Sequence, residues 1–164
     1  MVLAMECVIL CVLFTMMVLA TSKKSNGYAM LNDYPPEVGR RVRKMGLLTE
    51  GNIPTRKRDM KRKLLAVILY SLLFSLLLYF ANGCRSFWEG AFYSYLIWLA
   101  VDWYDFLVVD IAFAPFDKLM KKVNYKTDFE AVKFHFMGSV KGMVIGIPFA
   151  LVVGLLVLLL NQIF

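Results

Sequence analysis

The chain has one histidine and three cysteines in 164 residues. A single imidazole excludes multi-histidine metal sites. Cys7 and Cys11 are spaced C-x3-C, and Cys84 stands alone, so the C-x2-C spacing of a thiol redox motif is missing. No Walker loop, zinc-ligand spacing or Ser/His/Asp signature is present. Two long stretches contain no charge at all. They are LLAVILYSLLFSLLLYFA at 64–81 and MVIGIPFALVVGLLVLLL at 143–160.

What is present is apolar. The chain is 60% hydrophobic, where soluble domains run nearer half. The excess falls in four blocks, each close to the ~20 residues that span hydrocarbon as a helix. Lipid forces backbone groups to pair internally, and the alternation of barrel strands is missing, so helices are the expected form. The expectation is an all-α membrane protein with one membrane domain over 1–164. Its transmembrane helices would be 2–20, 64–82, 89–112 and a fourth inside a helix at 128–161. A cleaved signal peptide is the other reading of 2–20. Against it, Glu6 occupies the n-region, and Lys23 and Lys24 follow the apolar run rather than precede it.

Charge placement gives an orientation. Segment 21–63 holds twelve of the Lys/Arg residues and 113–141 holds six more, while the 83–88 loop has only Arg85. The positive-inside rule places the two basic segments in the cytoplasm and both termini outside. The run RKRDMKRK at 56–63 would pass as a nucleic-acid patch in a soluble chain. Beside a span, Arg56, Lys57, Arg58, Lys61, Arg62 and Lys63 read instead as contacts for anionic lipid headgroups. No nucleic-acid partner is expected.

Both cytoplasmic segments carry helix signals. Pro35 and Pro36 precede Val38, Val42 and Met45 at i, i+4 and i+7, with Arg40, Arg41, Arg43 and Lys44 on the other faces. This predicts a short basic amphipathic helix on the inner leaflet, or one that docks a partner. Thr127 and Glu130 fit a capping box that starts the last helix near Asp128, with Pro148 bending it. Gly138, Gly142 and Gly146 fall on one face of that helix and allow close approach. The approaching helix is either a neighbour in the chain or one from a second copy in a homodimer.

The third span carries the chemistry. Asp102 and Asp105 share a helical face, and Asp110 lies within reach of it. A charged aspartate on the lipid face costs a few kcal/mol, so these groups must face the interior, be paired or be neutral. Asp102 is the candidate for the neutral form. His135 and Lys141 are the candidate partners for Asp105 or Asp110, as is a basic residue near Lys63. Three readings stay open: a structural polar network, a proton or cation relay, and a divalent-metal site. The metal, cofactor and ligand are unassigned. Trp98, Asp102 and Asp105 also form a stripe that would suit a cationic ligand or ordinary core packing. A bridge from Cys84 to Cys7 or Cys11 is the alternative to thiol packing. The CDP-alcohol phosphotransferase motif is excluded. After Asp102-Trp-Tyr-Asp105 comes Phe106 where that motif needs glycine, and no Ala-Arg follows.

The runs NDYPPEVGRRVRK at 32–44 and GNIPTRKR at 51–58 are accompanied by DWYD at 102–105 and FHFMGSVKGMVIGIP at 134–148. Together they resemble small uncharacterised polytopic inner-membrane proteins of bacteria. The resemblance implies a helical protein of the bacterial cytoplasmic membrane and brings no activity with it. The expected function is a non-enzymatic accessory or interaction subunit, or a transport-related protein. A membrane-embedded enzyme acting on a lipid or isoprenoid-type substrate at the cytoplasmic face is the alternative.

Overall fold

A computed structural model describes residues 2–48 and 56–164, without side-chain detail at 2, 56–59, 62, 63 and 115. Most of the basic run at 56–63 that was read as a headgroup contact therefore lies outside the described side chains, as does 51–55 of the resemblance. The described chain is all-α. Its helices are α1 (Val2–Ser25), α2 (Pro36–Lys44), α3 (Arg56–Phe80), α4 (Phe87–Tyr104), α5 (Lys118–Lys122) and α6 (Phe129–Ile163), with short 3-10 turns at Tyr28–Asp33 and Ala114–Phe116. Two of them are long and apolar enough to cross a membrane. These are Leu3–Ser25, with mean hydropathy 2.5, and Phe129–Ile163, with 2.9; Leu64–Phe80 is a shorter apolar helix.

Local sequence explains most of the helix boundaries. Ser86 caps α4 in a capping box: its hydroxyl accepts from Glu89 N at 3.2 Å, and the Glu89 carboxylate accepts from Ser86 N at 3.1 Å. At α6 the cap is Asp128, not Thr127. Its carboxylate accepts from Ala131 N at 2.8 Å, so the helix starts one residue later than the Thr127–Glu130 pattern predicts. Adjacent Thr and Asp are both good caps, and the shift puts Ala131 in the core. The helix runs through Pro148 to Ile163.

The main core lies where α4 packs along α6 and α3 joins them. Phe74, Leu78, Ile97, Phe149, Val153 and Val157 fill it. Small residues bring the backbones together. A Cβ on Gly90 would lie 2.9 Å from Val157 Cβ, and one on Gly154 would lie 2.5 Å from the Phe87 carbonyl. By contrast α1 touches mainly α4 and leaves Val8, Ile9, Val12, Leu13 and Met16 exposed.

A second, smaller core corrects the reading of α2 as an interfacial helix. Val38 and Val42 are fully buried, together with Leu31, Leu119 and Val123. Burying each valine is worth roughly 2 kcal/mol. The apolar stripe is therefore covered by protein, from a segment some eighty residues later, rather than by lipid. Only Met45, just past the helix, remains exposed. Arg41 fastens the two segments. Its guanidinium donates to the carbonyls of Asn124 at 2.7 Å and Val123 at 3.3 Å. Gly27 sits at φ 81, and a Cβ there would lie 2.9 Å from Leu119 Cβ, so both the turn and the packing require glycine.

Candidate functional site

Beyond Tyr104 the third apolar stretch changes its winding. Asp105–Ala112 is π-helical, and Phe113 N donates to Val108 O, five residues back, at 2.9 Å. In an α-helix, residues five apart lie on well-separated faces. The wider i→i+5 turn brings Asp110 round towards the face that carries Asp105. There it meets α6, where His135, Ser139, Gly142 and Gly146 share one face.

The aspartates meet that face at successive levels. Asp110 Oδ2 lies 2.8 Å from His135 Nδ1, with the imidazole buried and the carboxylate 28% exposed. Asp105 is half-buried, and no hydrogen bond or ion pair reaches it among the described residues. Asp102 lies against the backbone of Gly142, and its Oδ2 is buried with no hydrogen-bond partner among the described residues. Trp98 closes the stripe. Its indole N–H donates to the Gly142 carbonyl at 3.0 Å, and its ring fills the space a Cβ on Gly146 would need. Two of the three stripe glycines are thus occupied from within the chain. Among the described residues, Gly138 has nothing within 4 Å of a Cβ position.

Lys141 is a correction. It is exposed and pairs with no aspartate among the described residues. Adjacent positions on an α-helix point to different faces, and Gly142, not Lys141, faces α4. Cys7, Cys11 and Cys84 are free thiols. Among the described residues, no three His, Cys, Asp or Glu side chains come together as ligands for a metal ion.

The Asp110–His135 pair forms one wall of a cavity of about 310 Å³ between the end of α1, the Tyr28–Asp33 turn, α5 and the start of α6. Its lining is mixed. Val18, Leu19, Val109 and Phe113 form an apolar side, while Asp33, Asp117, Lys23 and Lys118 add charge. Asp117 is engaged on both oxygens. Oδ1 caps α5 by accepting from Met120 N at 2.9 Å, and Oδ2 accepts from the Tyr34 hydroxyl at 2.8 Å. Burial pushes the Tyr34 phenol well above the usual range, and the carboxylates of Asp117, Asp110 and Asp33 add to the effect.

Sequence reasoning used Lys23 only as a charge flanking the first apolar run and did not single out Tyr34, Asp33, Asp117 or Lys118. Of these four only Asp117 left a trace, as an N-cap residue two positions after Pro115 and before a short basic helix. It also passed over Asn82, whose amide donates to both oxygens of the buried Glu6, at 2.7 and 2.8 Å. No family model, no curated protein and no solved structure matches the chain.

Proposed function

We propose that the chain is a four-span protein of the bacterial cytoplasmic membrane, non-enzymatic, with both termini outside and a ligand site at its cytoplasmic end. α1, α3, α6 and the helical path through 87–112 are the spans. The observation that carries this reading is the Asp110–His135 pair on the wall of the cavity, at the end where the basic segments gather. The two basic segments bind each other there through Arg41, which suits an ordered end built to hold something.

A through-path for ions has less support. Beyond Asp102 the interior is closed by Trp98 and Phe149, with ring centroids 4.8 Å apart, and by Ile97 and Val153. The hydroxyls of Ser71, Ser75 and Ser94 donate to carbonyls of their own helices and so extend no chain of donors. Access from one side favours binding over transport. One observation favours the enzyme alternative: a carboxylate orienting an imidazole at a cavity wall is also the arrangement of a general base.

Cysteine chemistry tests the reading. With the native cysteines replaced, Asn161→Cys is expected to react with an impermeant maleimide from outside intact cells. Val109→Cys in the cavity wall is expected to react with a small charged thiosulfonate only from the cytoplasmic side. Labelling of Asn161→Cys from the cytoplasm alone overturns the topology. A Val109→Cys that stays unreactive in open membranes overturns the site.

A further inference from the structure

The chemistry of this cavity points to one class of ligand. We infer that it holds the headgroup of a zwitterionic phospholipid bearing a primary amine, with the ammonium on Asp110 and the phosphate between Lys23 and Lys118. The inference rests on the proposed function above, which sets this end of the protein at headgroup level.

Three features of the lining argue for it. First, Asp110 gives one oxygen to His135, and its other oxygen accepts no hydrogen bond among the described residues. The Asp110 side chain is 28% exposed and lines the cavity, whereas both oxygens of Asp117 are already engaged. A primary ammonium carries three N–H donors and can bond it; a quaternary ammonium carries none. Second, Lys23 and Lys118 line the same cavity with exposed side chains, and a phosphate is the natural group between two ammonium donors. A purely anionic headgroup would satisfy the lysines but meet Asp33, Asp110 and Asp117 as like charges. Third, Leu19 and Phe113 line the cavity and are also exposed on the outer surface. The apolar wall therefore runs out onto the membrane-facing side, where acyl chains would lie. A soluble amine would have no use for that wall. At about 310 Å³ the cavity is at the small end of ligand sites, which fits a headgroup rather than a whole lipid.

The test uses the purified full chain, delipidated in detergent, with dioleoyl phosphatidylethanolamine, phosphatidylcholine and phosphatidylglycerol offered separately. Retention is read by native mass spectrometry. The ethanolamine lipid is expected to be retained roughly tenfold better than the other two, the size of one charge-assisted hydrogen bond. Asp110→Asn is expected to erase the preference over the choline lipid. Lys23→Ala with Lys118→Ala is expected to weaken ethanolamine and choline lipids alike. Should Asp110→Asn fail to fold, Val109→Trp fills the cavity without touching a charge and is expected to abolish retention. Equal retention of the three lipids overturns the inference, as does an unchanged preference in Asp110→Asn. Free phosphoethanolamine binding as well as the diacyl form overturns the lipid assignment but leaves the ligand site standing. An unreactive Val109→Cys removes the site itself.

Discussion

The Asn82 amide donates to both carboxylate oxygens of Glu6, at 2.7 and 2.8 Å, and this pair ties α1 to the turn that follows α3. α1 otherwise packs thinly, so the pair has a large share in holding it. Asn82→Leu is expected to destabilise the protein by about 2 kcal/mol, because it leaves a buried carboxylate without its donor. Glu6→Gln, which keeps a hydrogen-bonding side chain, is expected to cost less. Thermal unfolding in detergent measures both, and equal losses would show that the pair does not hold α1.

The glycine stripe on α6 gives a contrast within one helix. Gly146→Ala is expected to cost about 1–3 kcal/mol, because its Cβ would lie 2.5 Å from Trp98 Cδ1. Gly142→Ala would press on Asp102 and behave similarly. Gly138→Ala meets open space and is expected to be neutral or to stabilise by up to about 1 kcal/mol through helix propensity. Chemical unfolding of the three variants checks the order. A costly Gly138→Ala would show a neighbour at that position, such as a second copy of the chain.

Asp102 carries an orphaned, buried oxygen. An unpaired amide costs less in such a place than an unpaired carboxylate. Asp102→Asn keeps the shape against Gly142 and is expected to leave stability unchanged or raise it by about 1 kcal/mol. A loss above about 2 kcal/mol would mean that the carboxylate has a favourable partner in the folded protein.

Tyr34 predicts an alkaline limit. Its phenol is raised by burial and by the Asp117 carboxylate that accepts its hydrogen bond. A free phenol ionises near pH ~10, so above that pH the unfolded chain has lost a proton that the folded chain keeps. The unfolded state then binds fewer protons, and stability falls as pH rises. The contribution is complete below pH ~10 and is lost progressively above it. Unfolding midpoints between about pH 8 and 11 are expected to fall more steeply for the native protein than for Tyr34→Phe. Parallel profiles would exclude Tyr34 as the cause.

How much of this could be read from the sequence depends on how local each signal is. The uncharged runs at 64–81 and 143–160 predict helices where α3 and α6 lie, because hydropathy and length suffice. The three aspartates and His135 stand out because charge is rare in such blocks. The cap at α6 was off by one residue, since Thr127 and Asp128 are both able to serve. The stripe of α2 was visible, but a stripe does not name its cover, and Leu119 and Val123 lie far along the chain. The cavity was not legible. Its lining comes from four separate segments of the chain, and Tyr34, Asp117, Lys23 and Lys118 are ordinary residues in their own neighbourhoods. The meeting of Asp110 with His135 was only half legible, because periodicity alone assumes α-helical winding.

That winding has a consequence for chain length. A π-helical turn fits more residues per turn than an α-helix, so 105–112 behaves as an α-helix with an insertion in it. Deleting Val108 or Val109 would let the stretch relax to ordinary winding. Such a deletion would swing Asp110 away from His135 and rotate everything up to α5 about the helix axis. The Arg41 clasp to Val123 and Asn124 would then lose its register, although no residue of the clasp had been changed. The spacing of the whole end that carries α2 and α5 is thus metered by one surplus residue inside the third apolar stretch.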